Sequence, residues 1–586
     1  MNFRAADYLP WLVIGLLALF PLVESTFYMQ LLTKVLIMAI FAMSLDLLVG
    51  YTGLVSFGHA AYFGLAGYAL ALMAPQYEAV SLWWSLPAAV GICALFALVT
   101  GVLVLRTRGI YFIMVTLAFA QMLFFIFHDT KIGGGSDGIY IYVKPTMKSG
   151  EVELANLEKI EHFYWLVLAL MAATFLLLRR VLGSTFGRAL VGIKVNEHRM
   201  RALGFPVFRY QLASFTLSGA LAGIAGYLAA VQYGFVNPEI LSWHQSGAVL
   251  MIVILGGMGT LYGSVIGAFA FVLLQEILSN QAWFGAAAKH WHWRWVSSSC
   301  WWPCICHRVW PGCCGSPAGK PRRRRPMSEA VSLGGEPILR TKGLTKQFGG
   351  LVAVSDVSLD LYVGEVHVVI GPNGAGKSTL TNLLSGDLPP TSGEVRFEGN
   401  DIAGCSADHI SRLGIGRSYQ KTNIFLPFTV FENCRLAAQS RTPHALRVFH
   451  RAGGYAEINR LAGEAMAAAG LAHRAERIAA TLSHGEQRQL EIAMCLATQP
   501  RLLLFDEPLA GMGPHESQRM VELIKGLTAD HAIMLIEHDM DAVFALADRL
   551  TVMVNGEVLE SGTPEDVRSS PAVQLAYLGG EEILHD

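Results

Sequence analysis

Gly371-Pro372-Asn373-Gly374-Ala375-Gly376-Lys377-Ser378-Thr379 fits the pattern G-x-x-x-x-G-K-[ST], in which a glycine-rich turn wraps nucleotide phosphates. Glycines let consecutive backbone N–H groups point inward at an anion without Cβ clashes. The apolar run Val366–Ile370 before the loop predicts a strand, and Ser378–Leu384 after it predicts the start of a helix. Strand, loop and helix together put the phosphates at a helix N-terminus, where free N–H groups and the macrodipole favour negative charge. The flanking elements make a short pattern into a specific signal for nucleotide binding.

A chain of 586 residues is too long for one core and predicts at least two domains. Its formal charge of −1 removes any bulk attraction to nucleic acid, so no nucleic-acid partner is expected. Hydrophobic residues make up 53% and charged residues 15%, and the excess is uneven. Residues 1–286 carry long apolar runs and predict an all-α polytopic membrane domain. Residues 337–586 have ordinary soluble composition and predict an α/β P-loop NTPase domain. Between them, 287–336 is irregular and rich in Trp, Cys and Arg. The run Trp11–Val23 follows Arg4 and Asp7 but no small-residue cleavage site ends it, so it is read as a first membrane segment rather than a leader.

The candidate spans are Trp11–Val23, Leu31–Val49, Leu54–Met73, Trp84–Leu105, Ile110–Phe127, Phe163–Leu178, Tyr210–Gln232 and Ala248–Leu274. Loop charge orients them. Residues 179–209 hold Arg179, Arg180, Arg188, Lys194, Arg199, Arg201 and Arg209 against Glu197 alone, which predicts the cytoplasmic side. Residues 129–161 carry more acids than lysines and suit the opposite side. Lys34 and Asp46 fall within one span. A central membrane charge costs about 2.5–3.5 kcal/mol, so Asp46 is either interfacial or part of a translocation path. Gly50–Tyr68 is rich in small residues, which permit close helix contact. Gly256-Gly257-Met258-Gly259-Thr260 interrupts Ala248–Leu274, either as a kink or as a turn between two crossings.

In the second half, the apolar run Leu502–Phe505 ends in Asp506-Glu507. Such a pair suits Mg²⁺ binding by the Asp, together with the Ser378 hydroxyl, and polarisation of a water by the Glu. Leu482-Ser483-His484-Gly485-Glu486-Gln487 resembles the LSGGQ signature of ATP-binding-cassette ATPases, with His484 in place of the usual second Gly. Gln420, after Ile415–Tyr419, matches that family's Q-loop, and His538, after Ile533–Glu537, matches its switch histidine. Phe348 matches the aromatic that stacks on adenine. Six motifs stand in family order, and the resemblance covers the segment from about Pro337 to the end. It implies ATP and Mg²⁺ as cofactors. ATP would be held by Phe348 and by the loop residues Gly371, Pro372, Asn373, Gly374, Ala375, Gly376, Lys377, Ser378 and Thr379. Mg²⁺ would be held by Ser378, Gln420 and Asp506. Glu507, His538 and Gln420 would carry the hydrolysis. Ser483, Gly485 and Gln487 would act on the ATP of a partner domain, because family members close as head-to-tail dimers. Ala510-Gly511-Met512-Gly513 occupies the D-loop position but lacks its usual Asp or Asn.

The membrane half resembles the permease of branched-chain amino-acid uptake systems at Gly50–Tyr68, at Lys131–Ile139 and at Ile254–Ala268. Gly187–Gly204, with Arg188, Asn196, Glu197 and Gly204, resembles its cytoplasmic coupling segment, expected to dock near Gln420. The ATPase half is similar to the same systems at Gly349-Gly350-Leu351, Gly414–Gln420 and Glu537–Met540. The resemblance implies ATP-driven import of branched-chain or related amino acids across the cytoplasmic (inner) membrane, with the ATPase on the cytosolic side. It also implies membrane lipid, a second permease subunit, a second ATPase subunit and a periplasmic or surface binding protein as partners. Alternatives are an importer of urea or short amides, and an exporter-type half-transporter, for which 179–209 is too short a cytoplasmic extension. The junction holds six of the twelve Trp within His290–Trp310, five of the nine Cys, and Arg322–Arg325 before Met327. Its Cys spacing does not suit a structural zinc site. Out-of-frame reading of GC-rich DNA, with Met327 as the start of a once separate ATPase, accounts for this composition.

Overall fold

The computed structural model describes residues 15, 17–22, 25–75, 77–149, 152–279, 336–442, 448 and 450–577. Most of Trp11–Val23 and nearly all of the junction lie outside these. The described residues fall into two compact units. One holds 15–194 and 208–279 with Val448 and His450, and the other holds 195–207, 336–442 and 451–577.

Six helices of the first unit are long and apolar enough to cross a membrane: Thr26–Thr52, Leu82–Val104, Ile110–Asp129, Ile160–Leu182, Val207–Tyr233 and Leu261–Ser279. Thr26–Asp46 runs on into a π-helical turn, Leu47–Thr52, which Gly53 ends at φ 80°. The expected span Leu54–Met73 is therefore corrected to a 15-residue helix, His59–Met73. Small residues bring backbones together around it. A Cβ on Gly226 would lie 1.8 Å from the Phe63 carbonyl, and one on Gly58 would lie 2.4 Å from that of Thr116.

The expected span Ala248–Leu274 is also two elements. Trp243–Gly256 and Leu261–Ser279 form a hairpin turning at Gly257–Thr260. Gly257 and Gly259 adopt positive φ, which L side chains rarely reach. Gly256 faces Gly263 and Gly267 faces Ile252, so closely that a Cβ on Gly267 would meet the Ile252 carbonyl at 2.2 Å. Backbone contact of this kind leaves no room for relaxation. Gly267→Val is expected to cost at least about 2 kcal/mol by overpacking. A lowered denaturation midpoint of the full chain in detergent checks this, and an unchanged midpoint would contradict the contact.

Asp46 is not solvated. It is fully buried, and its Oδ1 accepts the Gly259 N–H at 2.8 Å, tying the hairpin turn to the end of the first span. Lys194 Nζ donates to the Gly50 carbonyl at 2.5 Å beside it.

The second unit is built on a six-stranded sheet in the order Ile415–Arg417, Leu502–Asp506, Ala532–Ile536, Val366–Ile370, Arg549–Val554, Glu557–Gly562. The first five strands are parallel and the last is antiparallel. Val366–Ile370, Leu502–Asp506 and Ala532–Ile536 are buried at every position. That burial explains their continuous apolar sequence, since parallel sheets are covered on both faces. Val369, Leu504 and Met534 pack into one core, and Val368, Phe505 and Leu535 into the other. A smaller antiparallel sheet runs Asn400–Asp401, Ser392–Phe397, Leu339–Phe348, Leu351–Val357.

Candidate functional site

Parallel strands deliver their carboxyl ends to one edge, where α/β sheets place ligands. Three neighbouring strands do so here in register, since Asp506 pairs with Ile536, and Ile536 with Val369. The chain then continues from these ends into Glu507, Glu537-His538 and Gly371.

The loop Gly371–Gly376 leads straight into the helix Lys377–Leu384. Gly371 and Gly376 have φ of 155° and 96°, and a Cβ on either would strike a carbonyl, of Met553 at 2.1 Å or of Ala353 at 2.3 Å. Gly374 stands at φ 83° with open space around it. Lys377 Nζ donates to the Gly371 and Pro372 carbonyls at 2.6 and 3.0 Å, closing the loop on itself. Burial draws its ammonium below the ordinary value, against the pull of Glu507 and Asp506.

Glu507 is the strained residue of the site. It holds φ 50°, fixed by its N–H to the Ile536 carbonyl at 2.9 Å. Non-glycine residues in this region cost about 1–3 kcal/mol and concentrate at functional sites. Both carboxylate oxygens are engaged: Oε1 lies 2.8 Å from His538 Nε2, and Oε2 accepts Gln420 Nε2 at 3.0 Å. The three expected hydrolytic residues are thus brought together. Asp506 is buried, and its Oδ1 has no protein partner. Burial raises its carboxyl, with Arg417 pulling against the shift. Ser378, Gln420 and Asp506 line one pocket of about 380 Å³. A buried unpaired carboxylate oxygen beside a serine hydroxyl and an amide is a fitting donor set for a hard cation.

Phe348 ends its strand paired with Leu351 and stays 46% exposed, with Lys346 Nζ 5.2 Å from its ring centroid. Ser483 caps the helix His484–Ala497 through a reciprocal pair with Glu486. That helix starts at His484, because the cap sits at Ser483. Gly485 lies against the Glu516 carboxylate and Gln487 donates to the Ala479 carbonyl at 3.2 Å. Among the described residues none of these signature contacts involves the phosphate loop.

The segment 195–207 belongs to this second unit although it lies in the permease half of the sequence. Asn196 caps the short helix Glu197–Ala202 and also donates to Asn423, three residues past Gln420. Arg412 Nε donates to the Gly204 carbonyl at 2.7 Å. Glu197 pairs with Arg201 at 2.5 Å. Arg188 sits in the preceding helix, Thr185–Val195, in the first unit. Sequence reasoning missed Arg199. Its guanidinium is fully buried, donating to the Arg417 and Glu491 carbonyls at 2.9 and 3.2 Å, with Glu491 Oε1 at 3.9 Å. Glu491 Oε1 in turn accepts the Tyr419 N–H at 3.1 Å, and Arg488 donates to the Tyr419 and Gln420 carbonyls. Burial pushes the Glu491 carboxyl up, and Arg199 and Arg488 pull it back. Asp387 shows the reverse balance. Against burial, His198 and Arg417 hold its carboxyl below the ordinary value. The only sequence signal was a run of arginines, which reads equally as a solvated loop.

Comparison with known proteins matches residues 27–296 to the branched-chain amino-acid transport system permease component. Residues 354–510 match the ABC transporter model, and 557–583 the branched-chain amino-acid ATP-binding cassette transporter. The high-affinity branched-chain amino acid transport ATP-binding protein LivG of Escherichia coli (strain K12) is 40% identical over 253 residues, covering 42% of this chain and 98% of that protein. The chain belongs to the branched-chain amino-acid ABC transporter family. It holds a family permease domain and a family ATP-hydrolysing cassette in one polypeptide. The corresponding protein BraF of Pseudomonas aeruginosa is 41% identical over 251 residues, covering 42% of this chain and 98% of that one. A crystal structure of a nucleotide-free ATP-binding cassette is 32% identical, covering 41% of this chain and 98% of its own, at a TM-score of 0.38.

Proposed function

We propose that this protein imports branched-chain or related amino acids across the cytoplasmic membrane, with the cassette on the cytosolic side. The observation that carries this reading is that the two halves match branched-chain amino-acid transport separately. A second permease, a second ATPase and a substrate-binding protein complete the system.

In this reading Ser378, Gln420 and Asp506 would hold Mg²⁺, which would neutralise charge at the phosphates. The chain itself does the rest by positioning. Gly371–Gly376 presents N–H groups to the phosphates, and Lys377 adds a point charge at the same place. Glu507, fixed at both oxygens, orients and polarises the attacking water. Gln420 and His538 hold it there. Ser483, Gly485 and Gln487 serve the partner's nucleotide. Asn196, Glu197 and Gly204 carry the docking of 195–207, through which closure of the cassette reaches the membrane helices.

We also infer that the junction is an out-of-frame reading that joins a permease gene to a once separate ATPase gene starting at Met327. Translating the other frames of its DNA decides this, since absence of an apolar helix there would refute it.

The function is tested by ATPase activity of the full chain in lipid with its partner subunits, with and without leucine-loaded binding protein. Stimulation by leucine is expected. Stimulation by urea-loaded binding protein alone would overturn the amino-acid reading.

A further inference from the structure

A cavity of about 750 Å³ opens in the first unit, within the size range of small-molecule sites. Its wall combines Ile37, Phe63, Phe124, Trp243 and Phe271 with one ammonium, Lys34, and one carboxylate, Glu239. Gln121 and Gln232 line it too, and their buried Nε2 and Oε1 atoms have no hydrogen-bond partner.

Depth argues that the charged and amide groups of this wall do not face lipid. Lys34 lies eight residues from Thr26, and Gln121 eight from Asp129, in helices long and apolar enough to span. Each is therefore about 12 Å in from its helix end. A lysine facing hydrocarbon there would cost about 2.5–3.5 kcal/mol. Part of the wall is also non-helical. Phe235–Val236 is a strand and Pro238–Leu241 a 3₁₀ turn, with Leu241 fully buried against Gly64. This irregular backbone follows the end of the span Val207–Tyr233 and pairs with Ile139–Tyr140, so that part of the wall lies where the helices end. Lys34 has Glu276 as an electrostatic neighbour, but neither it nor the Glu239 carboxylate makes a hydrogen bond or ion pair with a described side chain.

We propose that this cavity receives the cargo in transit as a zwitterion with an apolar side chain. Lys34 takes the carboxylate, Glu239 at the mouth takes the ammonium, and the aromatic and aliphatic wall takes the side chain. Gln121 supplies a spare donor and Gln232 a spare acceptor. The inference rests on the reading of the cargo as an amino acid.

The test uses the full chain in nanodiscs with its partner subunits and no binding protein. Binding of radiolabelled leucine is competed by leucine methyl ester, which lacks the carboxylate, and by 4-methylpentanoate, which lacks the amine. Wild type is expected to prefer leucine over each analogue by about tenfold or more, as sites built around a polar group do. Lys34→Met should lose the preference over the ester alone, and Glu239→Gln the preference over the amine-free acid alone. A folding defect would weaken all three ligands together and cannot produce this crossed pattern. Lys34→Cys should react with a charged thiol reagent and be protected by leucine. Unchanged discrimination in both variants, or an unreactive cysteine covered by the partner permease, overturns the cavity assignment. Leucine-stimulated ATPase persisting beside that result leaves the import reading standing, whereas loss of both leucine stimulation and leucine binding overturns the two together.

Discussion

Glu507→Gln is expected to lower ATP turnover by at least about 10²-fold, the lower end of what a positioned acid–base group contributes. Nucleotide binding should change little, because the phosphate loop and Lys377 are untouched. The amide keeps the size of the side chain and tolerates φ 50° as the glutamate does. It accepts at only one end, so its amide N–H₂ must donate at the other, to His538 Nε2 or to a reoriented Gln420, and one of the two contacts reverses direction. Phosphate release measured beside binding of a fluorescent ATP analogue separates the two effects. Turnover near that of wild type would remove Glu507 from the hydrolytic step. His538→Ala, which frees one oxygen and leaves the charge, should give a smaller loss.

Arg199→Met is the second large effect. Removing one partner of a buried pair leaves the other uncompensated, at a cost of about 3–5 kcal/mol. Arg488 still lies 3.4 Å from Glu491 Oε2, so the lower end applies. Adding Glu491→Gln to Arg199→Met should recover part of the loss, and that non-additivity is the signature of direct coupling. Denaturation midpoints of the full chain give the stability term. Binding-protein-stimulated ATPase gives the functional one, which should fall further than basal activity, because the Tyr419-Gln420 backbone hangs on the same network. A double-variant loss equal to the sum of the two single losses would show the pair to be energetically independent.

Much of the cassette was legible in advance because its parallel strands are buried on both faces. Val366–Ile370 and Leu502–Asp506 are continuous apolar runs that end where chemistry begins. The meeting of Gln420, Glu507 and His538 was expected from motif order, and the sheet edge supplies it. The membrane half was harder to read. Hydropathy registers apolar length but not direction, so Gly256–Thr260 read equally as a kink in one span or as a turn, and the structure makes it a turn. Small residues in Gly50–Tyr68 signalled close contact without saying between which helices, and the approach of Gly256 to Gly263 and of Gly267 to Ile252 was not read from the sequence. Arg199 was hidden for another reason. A buried charge is recognisable only through Glu491, almost 300 positions away, and no local pattern links the two.

Residues 195–207 fold with the cassette and are encoded with the permease, and this has a practical meaning for anyone dividing the protein. A fragment cut anywhere in 287–336 carries an empty socket, with Glu491 stripped of its deepest counter-ion and the Arg417 carbonyl of a donor. The permease match and the folding boundary do not coincide here. The severed cassette is a receptor for thirteen residues of its own former partner, and a synthetic peptide of 195–207 should raise its melting temperature when added in trans.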